Sequence, residues 1–550
     1  MSITKRNPLL AVDVYKMGHM EQYVPGCNKV YSYLLARSDH NFNKTVFFGL
    51  QYYLKEYLST KLTPEMGEEF LKYRKMILGS NTPEIERQIK ALCDLGYFPL
   101  KIKAVNEGTV LPAKNALMTM TNTHPDFYWV VGFVESLILK MWYPITVASC
   151  CYKYKEIVDA AFTDTASEGL SFLRDFTVHD FGYRGDTSEE GAALSGAAHL
   201  VSFSGSDTVP ALPFVEEYYG ADTSKMIMAS VPASEHSVIT SFGRENELAA
   251  FENMLRLYPS GIVSIVSDSF DVYRVLTEFA EHLKPAILAR DGKVVFRPDS
   301  GDPETIICGS IKFIDDIDMY DFEDEIHSMQ SHGEYGGDDK YEKIVFCKKS
   351  NKFWKLHADV SYDRHDKQYY YICDIEITQT EHNPTNEEKG AIVLLDEMFG
   401  STVNEKGYKQ LNPKVGLIYG DGMYIERYQR TLKRLKEMGY AASNLVIGVG
   451  GILRNHSRDT MGFALKATYV EVDGQPREIE KDPITDNKKK SHKGLVALYK
   501  LIKHDEPPTF FTLDKRSWDE ENGGELHTVF KDGKLTRETT FERIRERLRS

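Results

Sequence analysis

One alternation of apolar and polar positions dominates the chain from Leu170 to Asp302. A short apolar or β-branched run ends abruptly in polar and glycine residues, and a stretch with helical spacing follows. LSFLRDFTVHDFGYRG closes at Gly185, HLVSFSGSDT at Thr208, MIMASVPASEHS at Ser237, GIVSIVSDSFD at Asp271 and KVVFRPDSGD at Asp302. After an interruption the rhythm returns as VGLIYGDG (Val415–Gly422) and LVIGVGG (Leu445–Gly451). Short apolar runs separated by helical stretches predict βα units of a parallel sheet or barrel. The polar clusters all fall at the C-terminal ends of the predicted strands, where such sheets place their sites.

Outside this region the texture changes. Residues 1–30 mix apolar and polar positions around Asp13, Tyr15, Lys16 and His19. VYSYLLAR (Val30–Arg37) predicts a strand, and Thr45–Leu62 has helical spacing. Phe98–Thr123 is β-like, with turn signals at NEG and PAKN, and predicts a small β subdomain. Asp126–Tyr143 predicts a long, largely buried helix. Glu304–Lys389 breaks the rhythm with an acidic opening (Asp315–Glu325), a glycine-containing loop (His332–Asp339) and then aromatic β-like runs. A βα connection is normally a few residues long, so this stretch reads as an insertion with its own hairpins, acting as decoration, lid or oligomer contact. Ala391–Gly400 and Tyr428–Tyr440 are helical again. Asp532-Gly533 between TVF and KLT signals a hairpin, and TFERIRERLRS closes as a helix with Arg in its last turns.

Composition narrows the classes. The 550 residues are 42% hydrophobic, enough for a sizeable core and more than one domain. A formal net charge of -14 and a pI near 5.7 argue against a nucleic-acid or anionic-membrane binder, while leaving room for a local basic pocket. Seven Cys without a CxxC pair suggest buried thiols in a reducing compartment and no zinc site. The first residues lack a signal peptide's apolar core, and no run looks like the roughly 18 apolar residues of a membrane span. The expectation is a cytoplasmic protein.

Candidate chemistry sits at the strand ends. GVGG (Gly448–Gly451) offers bare backbone N–H groups to an anion, or is merely a tight turn. RPDSG (Arg297–Gly301) and GDG (Gly420–Gly422) each set an acidic residue beside Gly; a carboxylate there can accept from a ribose diol while Gly lets the sugar approach, and Arg297 adds a fixed cation. A structural Arg–Asp pair is the plainer reading. HDFGYRG (His179–Gly185) combines Phe181, a face for a flat heteroaromatic ring, with Arg184, a phosphate cation; a core Phe and a surface Arg fit the spacing equally. His236 in SVPASEHS stands where a strand turns into a helix, fit for a base, a nucleophile or a cap. Asp268 in SDSFD is positioned on the next strand to orient it.

These motifs, with YK (Tyr15-Lys16), VYSY, FGLQY, WYPITVA, SDTV, SRD (Ser457–Asp459), KDP (Lys481–Pro483) and LHTVFKDGK in the same order, resemble the nicotinamide phosphoribosyltransferase family of type II phosphoribosyltransferases. Only Glu304–Lys389 lacks a counterpart in that pattern. The resemblance implies an incomplete α/β barrel with an N-terminal β-rich domain built also from C-terminal segments. It divides the chain into 1–150, a first barrel part 151–303, the insertion 304–389, a second barrel part 390–470, and 471–550 returning to the β-rich domain. It implies a homodimer with shared sites that transfers the phosphoribosyl group of phosphoribosyl pyrophosphate (PRPP) to nicotinamide. Mg²⁺ would accompany PRPP, and ATP would be a coupled substrate. By resemblance, Phe181 and the partner's Tyr15 sandwich the pyridine ring. Asp207 accepts from the carboxamide, with Ser264 near. Arg297 lies by base and ribose, and Asp299, Gly420 and Asp421 hold the ribose. Arg184, Gly450 and Gly451 hold the 5'-phosphate. Arg37, Arg458 and Lys466 reach phosphates across the dimer, with Lys481 and Lys489 near the nucleotide. His236 is the phosphorylated histidine and Asp268 its companion. Ala464 stands where the family has Ser. The alternatives are a nicotinate or quinolinate phosphoribosyltransferase, a barrel isomerase or lyase acting on a sugar phosphate, and a non-enzymatic interaction protein.

Overall fold

The computed structural model describes residues 6–38, 40, 42–331, 340–364, 370–485, 490–502 and 508–549. The glycine-containing loop His332–Asp339, together with Lys488 and Lys489 of the basic loop, lies outside the described residues. The chain packs as two units: Met1–Lys155 with Asp180–Ala229 and Gly450–Ser550, and Glu156–His179 with Ser230–Val449. This division falls elsewhere than the sequence pattern suggests. Residues 180–229 and 450–470, read there as barrel, pack with the terminal segments.

The first unit is built on a seven-stranded sheet. Its order is Gln475–Glu478, Phe463–Val472, Cys27–Ala36, Ala116–Asn122, Leu100–Ala104, His527–Lys531 and Lys534–Leu535, all neighbours antiparallel. Three N-terminal strands therefore lie side by side in the middle of the sheet, with two C-terminal strands on each flank. Cys27–Ala36 is central and buried along most of its length, which is why it reads as a nearly continuous apolar run. The last hairpin turns at Asp532 (φ 49°) and Gly533 (φ 76°), the paired positive φ that a two-residue turn matching strand twist requires. A buried ion pair fixes the C-terminal segment to the sheet. Lys103 Nζ lies 2.9 Å from the Glu521 carboxylate, and the side chains are 5% and 2% exposed. Thr119 Oγ1 donates to the same carboxylate at 3.2 Å. The closing helix Phe541–Arg549 buries Phe541, Ile544 and Leu548 on one face. Its Arg545 donates to the carbonyls of Leu200, Phe203 and Ile227 at 2.6–3.0 Å, satisfying the end of helix Glu189–Ser202.

The expectation that no run resembles a membrane span needs correction. The helical run Pro125–Thr165 is long and apolar enough by length and composition, and most of its apolar window is buried inside the protein. It is also not one helix: Val130–Phe133, Glu135–Ile138 and Leu139–Met141 are short turns before Trp142–Thr165.

The second unit carries a parallel half-barrel sheet in the order Val178–Asp180, Leu445–Val449, Val415–Tyr419, Asp291–Arg297 and Ser260–Val266; Asp180 itself is counted with the first unit. The pairings among the last four strands are parallel. Two expected strands shrink to bridges. The apolar run at His199–Phe203 is mostly the end of helix Glu189–Ser202, and Ser206, Ala229 and Ala233 make only isolated parallel bridges. That helix is buried nearly all round through Ala197, Ala198, Leu200 and Val201, so its sequence shows the unbroken apolar run of a buried strand. Likewise Glu168–Phe176 is a 3₁₀ helix, leaving three strand residues after it. Lys312–Ile314, Lys340–Cys347, Lys352–Arg364 and Tyr370–Glu381 form a separate four-stranded sheet. Its apolar face holds its own core, including Phe322, Ile326, Val345, Leu356 and Val360.

Breaking a buried pair leaves its partner charge uncompensated. Lys103→Met is therefore expected to lower unfolding free energy by about 3–5 kcal/mol, read from the shift in urea midpoint. The double variant with Glu521→Leu should recover most of it.

Candidate functional site

In the second unit, one carboxylate organises the strand ends. Asp268 follows strand Ser260–Val266, and its side chain is 5% exposed. Its Oδ1 lies 3.0 Å from His236 Nε2. Its Oδ2 accepts from the Asp299 backbone N–H at 3.0 Å and the Ser300 hydroxyl at 2.5 Å. His236 opens the short helix His236–Thr240 and is 46% exposed at its side chain, so the ring is anchored on one nitrogen and open on the other side. The strands carry the rest. Arg297, the last residue of Asp291–Arg297, exchanges backbone and hydroxyl hydrogen bonds with Ser267, and its Nη2 donates to the Ser234 carbonyl at 2.7 Å. Ser234 in turn donates its backbone N–H to the Ser264 carbonyl at 3.1 Å. Ser264 Oγ, Ser269 Oγ and Arg297 Nε are buried and without a partner among the described residues.

Gly420 ends the neighbouring strand beside Asp299. A Cβ there would collide with Asp299 Oδ1 and stand 3.7 Å from Arg297 Nη1, so the glycine is what lets this carboxylate lie against the backbone. Tyr419 donates its hydroxyl to the carbonyls of Ser300 and Gly301 at 2.9 and 3.1 Å, tying the two loops. Burial first, then Asp268, Asp299, Asp421 and Asp302, hold the Tyr419 hydroxyl well above the usual tyrosine range. The structure thus gathers His236, Ser264, Asp268, Arg297, Asp299, Gly420 and Asp421 in one unit.

The first unit holds a second group. Gly450 and Gly451 follow strand Leu445–Val449, and both approach the HDFGYRG segment. A Cβ on Gly450 would lie 3.7 Å from the Phe181 carbonyl, and one on Gly185 would lie 3.1 Å from Gly451 Cα. The two loops are clamped by Arg454, a residue the sequence reading did not single out. Its guanidinium is 2% exposed and bonds Asp180 at 2.7 Å and Asp186 at 2.9 Å. Asp180 Oδ1 also accepts from the Gly182 N–H at 2.8 Å. Gly182 is required because a Cβ would meet the guanidinium at 2.7 Å. Phe181 is partly exposed, and Arg184 and Asp207 are exposed; the Asp207 N–H donates to the Asp180 carbonyl at 2.9 Å.

A third group, also in the first unit, is cationic. Strand register sets Tyr33 opposite Lys466 and Ala36 opposite Phe463, so Arg37 and Lys466 share one end of the sheet. The Lys466 ammonium is pushed below its usual range by burial first, then by Lys481 and Arg37, with Arg458 adding less than the opposing Glu135. Arg37 Nε donates to the Gly462 carbonyl at 2.8 Å, and Arg458 pairs with Asp459. Tyr15 is 63% exposed, edge-on to His19 and under the Lys16 ammonium. Lys489 lies outside the described residues.

Sequence reasoning missed Arg454, Asp180, Asp186 and the serines Ser234, Ser267 and Ser300. The one available signal is an Arg directly after an apolar pair in GGILRN, with two Asp residues bracketing FGYRG. Burial of Asp180 works to raise its pKa, but Arg454, His199 and the Gly182 N–H outweigh this and hold it below the usual carboxylate range. A lowered folded pKa stabilises the protein above the unfolded value and loses that stability as pH falls. In Arg454→Met the buried Asp180 loses its cation, and the fold gains stability from its protonation instead. The variant should be less stable by about 3–5 kcal/mol at neutral pH. That gap should close as pH falls toward 4, measured by denaturant unfolding across pH.

Comparison with known proteins gives the family. Residues 176–347 and 381–534 match the nicotinate phosphoribosyltransferase family, and residues 7–75 match the N-terminal domain of nicotinamide phosphoribosyltransferase. A nicotinamide phosphoribosyltransferase of Acinetobacter baylyi is 36% identical, covering 98% of this chain and 97% of its own length. One of Xanthomonas campestris is 33% identical over the same shares. Human nicotinic acid phosphoribosyltransferase, whose crystal structure covers 98% of this chain and 92% of its own at TM-score 0.53 and 13% identity, speaks for the fold alone. The family match runs to 347 and resumes at 381, so the stretch without a family counterpart is not Glu304–Lys389 but 348–380. The chain belongs to the nicotinate phosphoribosyltransferase family, in its nicotinamide phosphoribosyltransferase branch, and is a pentosyltransferase.

Proposed function

We propose that the enzyme transfers the 5-phosphoribosyl group of PRPP to nicotinamide in NAD salvage, giving nicotinamide mononucleotide and pyrophosphate, and that ATP drives the reaction through a phosphohistidine at His236. The observation that carries this reading is the Asp268 carboxylate, which bonds His236 on one oxygen and the Asp299–Ser300 loop on the other. A change of charge at His236 is felt at Asp299, the carboxylate assigned to the ribose diol.

The roles follow from the geometry. Asp268 engages His236 Nε2, which keeps the proton there and leaves the Nδ1 lone pair as nucleophile. That lone pair attacks the γ-phosphorus of ATP, and the β–γ bridging oxygen leaves with ADP. Asp299 and Asp421 accept from the ribose hydroxyls, and Gly420 gives the sugar access to the backbone. The orphaned Ser264 Oγ and Arg297 Nε are fit to bond the substrate's polar atoms. Phe181 stacks on the pyridine ring, and Arg184 with the N–H groups at Gly450 and Gly451 holds the 5'-phosphate. An exposed Tyr15 and the cluster of Arg37, Arg458, Lys466 and Lys481 suit a homodimer in which each chain completes its partner's site. Glycosyl transfer passes through a cationic sugar as pyrophosphate leaves, so positioning and charge neutralisation supply most of the catalysis. Among the described residues no group of three His, Cys, Asp or Glu could hold a metal ion alone. Mg²⁺ would accompany the PRPP phosphates and supply charge neutralisation to the leaving pyrophosphate.

Asp207 sets the base. A carboxylate accepts from the amide –NH₂ and repels the nicotinate –COO⁻. The second reading, nicotinate as substrate, draws on the family match itself. Purified protein given PRPP, Mg²⁺ and equal nicotinamide and nicotinate, with products resolved by mass, separates the two. Nicotinamide mononucleotide is the expected product, and nicotinate mononucleotide as the main product would overturn the substrate assignment. Asp207→Asn should narrow the preference by roughly ten- to a hundredfold. ATP should raise kcat/KM for PRPP in the parent and not in His236→Ala; an equal response to ATP would remove the phosphohistidine.

A further inference from the structure

The first unit contains a small cavity that the reaction does not use. Its volume is about 80 Å³, room for several waters or a small ion but far below the roughly 300 Å³ at which ligand pockets begin. Three guanidinium groups line it, Arg537, Arg543 and Arg547, from the loop before the closing helix and from the helix itself. Arg537 and Arg543 are exposed and form no ion pair among the described residues. Arg547 is anchored by donation to the Glu107 carbonyl. Two carboxylates also line the cavity, and both are engaged. Glu107 accepts from the N–H groups of Gly49 and Gln51 at 2.8 and 2.6 Å and from the Tyr219 hydroxyl at 2.9 Å. Glu538 pairs with Lys55 at 2.7 Å.

The wall also carries a buried polar atom with no partner among the described residues, Thr539 Oγ1. Its residue is held by both amide ends of Gln51, whose Oε1 accepts from the Thr539 N–H at 2.8 Å and whose Nε2 donates to its carbonyl at 3.1 Å. Three cations on one cavity repel one another. Burial first, then Arg537, with a further part from Arg543, pushes the Arg547 guanidinium below its usual range. A bound anion relieves that repulsion, and a tetrahedral oxyanion can accept from several planar guanidinium forks and a hydroxyl at once.

We propose that this cavity binds a small phosphate-class oxyanion, held by Arg537, Arg543, Arg547 and the Thr539 hydroxyl. The site is independent of the phosphoribosyl chemistry and anchors the closing helix when filled. Inorganic phosphate is the probe, added to the full chain at constant ionic strength with chloride, and amide hydrogen exchange of the 536–549 peptide is the readout. Phosphate should protect that peptide, with the same midpoint in Arg458→Ala, which lies in the other cation cluster. Arg537→Ala/Arg543→Ala removes only exposed, unpaired groups and should raise the midpoint about tenfold or more. Thr539→Val should raise it less. No phosphate-dependent protection in the parent, or an unchanged midpoint in the double variant, would overturn the site whatever the enzyme's activity.

Discussion

A guanidinium taken out of water next to two carboxylates is costly unless every partner is in register. Arg454 meets that condition through Nη2, 2.7 Å from Asp180, and Nε, 2.9 Å from Asp186, with all three side chains at most 4% exposed, while its buried Nη1 has no partner among the described residues. The register fixes more than itself. Asp180 ends the strand that leads into Phe181, Asp186 precedes the helix Glu189–Ser202, and Arg454 follows the two glycines of the loop Gly450–Gly451. Ser195 and Tyr143 also donate to Asp186, so the network reaches two helices as well. Every group assigned to the 5'-phosphate in this unit is within a few residues of one of the three charges. A phosphate site built from bare N–H groups has no side chains to adjust its geometry. The buried triad supplies the rigidity such a site needs.

Asp268 does the corresponding work in the other unit, with a different balance. Its partners are a backbone N–H, a hydroxyl and an imidazole, and only the imidazole is substantially exposed. Its outer end meets solvent at the imidazole, so charge added there bears directly on the buried carboxylate. That distinguishes it from the Arg454 triad, which sets one guanidinium between two carboxylates with all three side chains buried. One network suits a scaffold and the other a coupling element.

Much of this was legible from the chain. The strand-end positions of Asp268, Arg297, Asp299 and Gly420 followed from abrupt apolar-to-polar breaks, because a parallel strand buried on both faces must stop where its polar loop begins, whereas the strand expected before His236 is only isolated bridges. The strand read as Val30–Arg37, which the structure extends back to Cys27, and the turn at Asp532-Gly533 were equally plain, since each depends on local chemistry. Strands were over-read where a helix is buried all round, as at His199–Phe203, because periodicity vanishes when no face meets water. Arg454 was invisible for a deeper reason. An arginine is usually at the surface, and its burial here depends on Asp180 and Asp186, more than 260 residues away. The grouping of 180–229 and 450–470 with the terminal segments is likewise a matter of long-range packing that no local pattern records.

The overall charge of -14 would suggest a protein that repels phosphates. At physiological ionic strength, however, an exposed charge is felt over about 8 Å, so recognition depends on what lies within that radius. Around Lys466 the near charges include Lys481, Arg37 and Arg458 against Glu135. Around Arg547 they include Arg537 and Arg543 against a Glu107 carboxylate that burial drives toward its neutral form. Lys466 and Arg547 are partly desolvated, which would strengthen a hold on an anion there. The acidic surplus includes stretches such as Asp315–Glu325, where most of the carboxylates are exposed or only partly buried. Phosphate recognition in an acidic protein is therefore a question of local desolvated cations, and their positions here follow from one antiparallel sheet and the helix that closes it.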